Sequence, residues 1–498
     1  MNLKGFLLNT VNTRWIIVVP FIVFVFLSVS LALTKMPWVD EAWFASSSVN
    51  LAQHGFLGNT ILTDGDWAGL AQYTYWQPPM FFLIEGLVFK IFGSGLIQAR
   101  LLNVFWGLIA LFAFYFLAKK FLSQKWAIGL AMFLLSADFY FISGSADGRM
   151  DIMAVALMLI AYDFYLYLRL KRLSWAIFSS AMAIVLSGLT HPNGIIGLAG
   201  WLFLIIYFDR AKISIKLILL AILPFLLGAI GWAAYILQNW PIFQAQFFGN
   251  IAYWQKWSAW PIKWPIVNEV FYRYFYGYGL LPSQQGHLEM LKILILLGLG
   301  GLFIFSCTKI KYIKARGWLA ILILLIIHVL VLMFLISNKT PIYLIYVTPL
   351  LILNAVLAIG LLSRRPKLLM TLLLLGLGTI SLVGLLIKGP TRNDYYNKYL
   401  ADLSFFQKNY YHQGATICGS SELAFFYNFN ASIFNDNRRL GFDVNKKFDY
   451  LIIGDSYRAW LENFQNKEPA TYQYIQNILS KEYHLIYQGK SYAFYQKI

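Results

Sequence analysis

The residue types best suited to chemistry are two adjacent acids, Asp40 and Glu41, which directly follow the first apolar run of the chain. Placing carboxylates this close to a bilayer costs free energy, and such residues are usually functional. A carboxylate within reach of a hydroxyl can act as a general base. Asp40 also suits the N-cap of a short helix ending at Gly55, with Glu41 in its first turn. Because a helix fixes the position of a capping carboxylate, the structural and catalytic interpretations are compatible.

A second charged group, Asp147-Gly-Arg-Met-Asp151, follows a later apolar run. Arg149 could bind a phosphate while Asp151 binds a hydroxyl, although a local ion pair is the commoner explanation. Glu85 lies in an amphipathic segment that begins at Gln77-Pro-Pro-Met80. We expect these residues, with Asp64 and Asp66, on the same membrane face as Asp40.

Three more candidates lie near the ends of other apolar runs. His191 occupies the turn Thr190-His-Pro-Asn193, and the sequence offers no second histidine nearby that would support zinc. Lys339 precedes Tyr343 and suits an anionic headgroup, although a snorkelling lysine is the commoner case. Arg273 lies in an aromatic loop at 238–287, with tryptophans at 240, 254, 257, 260 and 264, which suits an interfacial anchor or a groove for a lipid carrier.

The composition identifies a polytopic membrane protein. The 498 residues are 59% hydrophobic and only 12% charged, whereas soluble domains carry about 25% charged residues. Lys and Arg outnumber Asp and Glu by 40 to 22, but this excess lies in short loops between apolar runs, which indicates membrane orientation and no nucleic-acid partner. The two cysteines, Cys307 and Cys418, exclude a disulfide scaffold and a cysteine-based zinc site.

Eleven apolar runs are candidates to cross the roughly 30 Å of hydrocarbon. They lie at about 15–34, 97–118, 126–144, 152–168, 175–190, 195–208, 217–237, 288–306, 317–336, 343–362 and 368–387. Five basic loops alternate with weakly charged ones, and we predict that all five are cytoplasmic. The outer loops are then 35–96 and 238–287, and the C-terminus is outside.

The apolar stretch Pro79 to Phe92 does not cross the membrane in this topology. It is short and carries Glu85 and Lys90, which suits an interfacial or re-entrant helix. In the alternative topology it crosses, and one basic loop lies outside.

The polar C-terminal segment, 390–498, predicts a small extracytoplasmic α/β domain after a membrane domain of residues 1–389. Strands are expected at Ala415–Gly419, Asp449–Gly454 and near 483–497, and helices near 394–412 and 471–482.

Taken in order, these features resemble the GT-C glycosyltransferases, in particular the family 39-like group that includes protein O-mannosyltransferases and the lipid A aminoarabinose transferase. The residues that carry the resemblance are Asp40-Glu41 after the first run, Pro78-Pro79, the run from Arg100 to Gly107, Arg149 with Asp151, the polar turn before Gly194-Ile-Ile-Gly197, and Lys339, Tyr343 and Pro349. The likeness covers about residues 10–365.

The resemblance implies a polyprenyl-phosphate-linked sugar donor and transfer outside the cytoplasm with inversion, in the cell membrane. By position it implies Asp40 as the base and Asp151 as a second acid, and we add Glu41 as a supporting acid. Arg149, Lys339, Arg273, Tyr343, Glu85 and His191 are expected to bind the donor phosphate or substrate. The acceptor is a lipid, a glycan or a protein.

Two departures weaken the donor site that the resemblance implies. Gln77 stands where relatives often carry a lysine before Pro-Pro, and His191-Pro-Asn193 replaces their Lys-Gly. The paired acids could hold Mg²⁺ or Mn²⁺ through oxygen, but a monophosphate leaving group does not require a metal.

Two other functions remain open at this point. A secondary transporter would show repeated halves and helices broken at mid-membrane, and neither is clear in this sequence. A non-enzymatic receptor would use the C-terminal domain for binding and would not need Asp40 or Asp151.

Overall fold

The computed structural model describes residues 15–63, 69–250, 265–276, 290–315, 317–336, 338–392 and 395–498. Asp64, Asp66, Trp254, Trp257, Trp260 and Trp264 lie outside the described residues. The described chain consists mainly of helices, with one small sheet near its C-terminal end.

The longer helices are labelled in chain order. They are α1 (Trp15–Thr34), α2 (Val39–His54), α3 (Met80–Phe92), α4 (Leu96–Phe121), α5 (Lys125–Ser136), α6 (Phe139–Ala146), α7 (Asp151–Leu168), α8 (Leu173–Thr190), α9 (Ile195–Asp209), α10 (Ile215–Ile236), α11 (Met290–Thr308), α12 (Ile310–Ala315), α13 (Leu319–Phe334), α14 (Thr348–Ile359), α15 (Arg364–Arg392), α16 (Tyr395–Asn409), α17 (Asp455–Lys467) and α18 (Pro469–Lys481). Short helical segments at Trp240–Phe243, Gln244–Phe248, Pro265–Asn268, Glu269–Tyr276 and Pro341–Tyr346 connect them.

The predicted polytopic helical architecture is confirmed. Seven helices of the described chain are long and apolar enough to cross a membrane, and the pair α5 and α6, bent by 55°, is an eighth candidate. Three shorter apolar helices lie at Leu296–Thr308, Leu319–Phe334 and Thr348–Ile359. These positions coincide with the eleven apolar runs of the sequence. The number of crossings itself stays a prediction.

Helix α3 corresponds to the stretch that we expected not to cross. Its 13 residues span about 20 Å, which is less than the roughly 30 Å of hydrocarbon. Leu83, Leu87 and Ile91 are exposed along one side, while Phe82 and Glu85 are buried on the other. This distribution suits a helix lying along an interface, and its placement in the bilayer stays a prediction.

The C-terminal region forms a five-stranded sheet with strand order β2-β1-β3-β5-β4. Its strands are β1 (Ile417–Gly419), β2 (Phe434–Asn435), β3 (Tyr450–Gly454), β4 (Tyr483–Gln488) and β5 (Tyr492–Lys497). β1 pairs in parallel with β2 and β3, whereas β5 pairs antiparallel with β3 and β4. The predicted small α/β fold is confirmed, but the sequence analysis missed the two-residue strand β2 and the helix α17. Because α15 continues past residue 389, the exact domain boundary stays a prediction.

The prediction that Asp40 caps α2 is wrong. The helix begins at Val39, and its N-cap is Trp38. The capping carboxylate is Glu41, whose Oε2 accepts a hydrogen bond of 2.7 Å from the backbone N–H of Trp38. At the other end, Gly55 adopts a φ of 80° and ends the helix as expected.

A fully buried arginine, Arg100 of α4, connects the beginning of α2 to the end of α1. Its Nε and Nη2 donate to the two oxygens of Glu41, each at 2.7 Å. The remaining donors bind the carbonyls of Ala32, Lys35 and Met36 at 2.7–2.9 Å. All five N–H groups of the guanidinium therefore have partners, which is what burial of this cation requires.

The second buried acid near α2 is Glu85 of α3. Its Oε2 accepts a hydrogen bond of 2.7 Å from the hydroxyl of Ser48. Burial raises the pKa of Glu85 to about 8, and the nearby Glu41 adds to this shift against the effect of Ser48. The carboxyl is therefore largely protonated at neutral pH.

Replacing Arg100 by glutamine should destabilise the whole membrane domain, because Glu41 would remain buried without its counter-charge. We expect the free energy of unfolding to fall by about 3–5 kcal/mol. The matched control is Lys119→Gln at the exposed end of the same helix, which should change it by less than about 0.5 kcal/mol. Denaturant unfolding in detergent, followed by tryptophan fluorescence, measures both. Equal effects of the two changes would contradict the assigned role.

The Glu85→Gln variant should flatten the pH dependence of stability. The pKa of Glu85 is raised from 4.5 to about 8 on folding, so the protonated carboxyl favours the folded state below pH 4.5 and this advantage is lost as the pH rises through 8. Relative to the variant, the wild type should lose a few kcal/mol between pH 5 and pH 8, since one pKa unit corresponds to about 1.4 kcal/mol. Unfolding curves at both pH values test this. Parallel pH profiles for the two proteins would refute it.

Candidate active site

The first charged group of the site is centred on Arg149, in the turn between α6 and α7. Its Nη1 donates to Oδ2 of Asp40, and its Nε donates to Oδ2 of Asp151 at 3.0 Å. The guanidinium lies 4.9 Å from the ring centre of Trp38 and 5.6 Å from that of Phe44. The cation is thus held between two carboxylates and two aromatic faces.

The two carboxylates bound to Arg149 differ in their access to solvent. The side chain of Asp40 is 22% exposed, whereas that of Asp151 is fully buried. Burial raises the pKa of Asp40, Arg149 opposes this shift, and Asp151 and Glu41 reinforce it. Burial alone would lower the pKa of Arg149, but Asp151 and Asp40 outweigh it and raise the value, so Arg149 stays charged. Asp40 is therefore the acid of this group that an external hydroxyl can reach.

His191 lies against Asp151 with one defined tautomer. Its Nδ1 accepts a hydrogen bond of 3.0 Å from the backbone N–H of Asn193. Burial lowers the pKa of His191 to about 4, despite the opposing effect of Asp151. The neutral ring therefore carries its proton on Nε2, which lies 3.6 Å from Oδ1 of Asp151. His191 therefore lies beside Asp151 as a neutral ring at neutral pH.

A second charged group contains Arg273, Lys339 and an acid that the sequence analysis missed, Glu269. Arg273 Nε lies 2.7 Å from Oε1 of Glu269, and Lys339 Nζ lies 3.0 Å from Oε2. Arg273 also donates to the carbonyls of Thr340 and Asn338, at 3.2 and 3.1 Å. The spacing of four residues between Glu269 and Arg273 was the available sequence signal for this pair.

Tyr343 joins the two charged groups. Its ring centre lies 5.7 Å from that of His191 and 5.7 Å from Cζ of Arg273. Its side chain is buried, and a tyrosine hydroxyl can donate a hydrogen bond to an anion.

Glu41 and Glu85 lie apart from these groups. Besides Arg100 and Trp38, Glu41 accepts a hydrogen bond of 2.7 Å from the backbone N–H of Gly148. It thus contacts the turn that carries Arg149 through the backbone and does not bind Arg149 itself. Glu85 packs between α2 and α3. Their predicted functional roles stay predictions.

The described residues contain no group of three or more His, Cys, Asp or Glu side chains suited to a metal ion. In the first group, the guanidinium of Arg149 already binds both Asp40 and Asp151. A divalent cation held by both acids would have to displace it. The arrangement seen does not fit such a metal.

Comparison with known proteins gives two matches in sequence. The sequence model of the family described as dolichyl-phosphate-mannose-protein mannosyltransferase matches residues 76–235, a segment that includes Glu85, Arg149, Asp151 and His191. A protein of Aquifex aeolicus (strain VF5), described as uncharacterized, is 27% identical over 228 residues, which are 44% of this chain and 42% of that protein. The chain thus matches about two fifths of the length of this curated relative.

Solved structures give a match over nearly the whole chain. ArnT from Cupriavidus metallidurans bound to undecaprenyl phosphate superposes with a TM-score of 0.61 and 15% identity, and 98% of each chain is covered. The same protein in the apo state superposes with a TM-score of 0.56 and 15% identity over 97% of each chain. The ArnT fold thus extends over the membrane helices and the C-terminal sheet of this chain. The chain shares this fold, and the predicted resemblance to the GT-C glycosyltransferases is confirmed.

Proposed function

We propose that this protein is an integral-membrane glycosyltransferase. It moves a sugar from a polyprenyl-phosphate-linked donor to an extracytoplasmic hydroxyl on a lipid, glycan or protein, with inversion at the anomeric carbon. The observation that carries the proposal is the pair of charged groups joined by Tyr343. One of them presents a partly exposed carboxylate, and the other contains two buried cations that share the single acid Glu269. The ArnT fold, found in one structure with undecaprenyl phosphate, supports the lipid-linked donor.

Asp40 is the base in this reaction. Its carboxylate takes the proton of the acceptor hydroxyl while the hydroxyl oxygen forms a bond to the anomeric carbon. The bond from that carbon to the phosphate oxygen breaks, and the polyprenyl phosphate leaves with the electron pair. Attack from the side opposite the leaving group inverts the configuration. Arg149 holds Asp40 in place, and Asp151 with His191 holds Arg149.

Arg273, Lys339 and Tyr343 bind the donor phosphate. As the bond to the sugar breaks, charge grows on the phosphate oxygens, and fixed donors stabilise it. Arg273 offers a planar set of N–H groups suited to phosphate, and Tyr343 adds a neutral O–H donor. Relatives often carry a lysine where this sequence has Gln77, and in this protein Lys339 provides a positive charge for the donor phosphate instead. Because Arg149 already binds both acids, the proposed reaction does not use Mg²⁺ or Mn²⁺.

Asp40→Asn should abolish most transfer while the fold is kept, because the amide cannot take a proton. We expect kcat to fall by about 10²–10⁴-fold. The substrate is the lipid-linked sugar that co-purifies with the protein, identified by mass spectrometry, and the readout is release of polyprenyl phosphate. The control Glu462→Gln, at an exposed position of α17, should keep full activity. Full activity of Asp40→Asn would remove the base assignment, and uptake of substrate without a covalent product would favour a transporter.

Arg273→Gln and Lys339→Gln should each weaken donor binding. A hydrogen bond to a charged group contributes about 1.5–3 kcal/mol, so we expect the KM for the donor to rise about 10–100-fold, with the KM for the acceptor unchanged. The matched variant Glu269→Gln releases both cations from their internal partner and should bind the donor at least as tightly as the wild type. Kinetics with each substrate varied in turn measure this. A rise confined to the acceptor KM would reverse the assignment of the two groups.

A further inference from the structure

The C-terminal domain is joined to the first outer loop by backbone hydrogen bonds. Leu62 pairs in parallel with Asp436, directly after β2. The Asp436 N–H donates to the carbonyl of Ile61 at 2.8 Å, and the Thr63 N–H donates to the carbonyl of Asp436 at 2.9 Å. This short segment of the loop covers the β2 edge of the sheet, where unpaired backbone groups would otherwise be available.

The side chain of Asp436 extends the contact to α2, the helix that carries Asp40. Asp436 is 1% exposed, and its Oδ2 accepts a hydrogen bond of 3.3 Å from the indole N–H of Trp43. Within its own domain, Asp436 also accepts bonds from the hydroxyls of Ser421 and Tyr457, the latter at 3.2 Å. One carboxylate therefore binds both its own domain and α2.

Trp43 is held on two further sides. Its ring centre lies 5.7 Å from Cζ of Arg438 in the C-terminal domain and 6.1 Å from the ring centre of Trp76 in the first outer loop. Trp76 in turn stacks on Phe44 at 5.5 Å, and Phe44 lies under the guanidinium of Arg149. A continuous set of contacts thus leads from Asp436 to the first charged group.

We propose that Asp436 is a positioning residue for the base, which makes the C-terminal domain part of the catalytic unit. The proposal rests on the proposed function. Trp43 follows Asp40 by three residues on α2, so the two lie about 4.5 Å apart along the axis and on neighbouring sides of the helix. A rotation or shift of α2 that breaks the Trp43 bond therefore also moves Asp40 relative to Arg149.

The kinetic test removes the contact from each side. Asp436→Asn and Trp43→Phe should each lower kcat about tenfold, because a small displacement of a catalytic group slows the chemical step. Neither variant should change the KM for the donor. Since both changes remove the same contact, the double variant should be no slower than the slower single variant.

Asp402→Asn is the matched control, because Asp402 is a buried acid of the same domain that binds the N–H groups of Lys490 and Ser491. It should leave kcat unchanged.

A second readout does not depend on activity. Hydrogen exchange of the α2 amides, measured by mass spectrometry, should become about tenfold faster in Asp436→Asn and Trp43→Phe, and should stay at the wild-type rate in Asp402→Asn. If wild-type protein shows no transfer, the proposed function fails, while exchange still tests whether Asp436 holds α2. If Asp436→Asn does not fold, Trp43→Phe tests the same contact. Unchanged exchange and unchanged kcat, or additive losses in the double variant, would overturn the proposal.

Discussion

The buried ion pair of Arg100 and Glu41 is the constraint on which the rest of the site depends. A guanidinium without water must satisfy five N–H groups, and here they bind Glu41 and three carbonyls at and just after the end of α1. Glu41 in turn accepts hydrogen bonds from the N–H of Trp38, the N-cap of α2, and from the N–H of Gly148. One pair thus joins α1, α2, α4 and the turn before α7. Since Asp40 precedes Glu41 and Arg149 follows Gly148, fixing this pair also fixes Asp40 relative to Arg149.

The same geometry gives two adjacent acids opposite electrostatic environments. Burial alone would raise the pKa of Glu41, but Arg100, Lys35 and the Gly148 N–H outweigh it and lower the value. For Asp40, burial prevails over the single cation Arg149 and the pKa is raised. Arg100 therefore favours the ionised form of Glu41. Asp40 binds a proton more readily, which is what a base requires.

Much of this arrangement could be predicted from the sequence, because charged residues at the ends of apolar runs are few and the predicted topology places them on one side. Asp40, Arg149, Asp151 and His191 follow from that pattern and Tyr343 from the family resemblance, and the structure brings them together. Partners distant in the sequence could not be predicted. No local pattern indicates that Arg100 binds Glu41 or that Asp436 binds Trp43, since these contacts depend on how helices and domains pack. The N-cap prediction failed because the helix begins one residue earlier, with Trp38 as its N-cap. Glu41, held by Arg100, supplies the capping carboxylate from the third helical position instead of Asp40.

The two charged groups have opposite net charge, which gives the proposed reaction a direction. Arg149 with Asp40 and Asp151 leaves one net negative charge, because His191 is neutral at pH 7. Arg273 and Lys339 with Glu269 leave one net positive charge. An anionic phosphate is therefore attracted to the second group and repelled by the first, whereas a hydroxyl that must lose a proton is favoured beside Asp40. Tyr343 lies beside His191 at the first group and beside Arg273 in the second. In the proposed reaction this charge separation orients the donor without the lysine that relatives often carry at the position of Gln77.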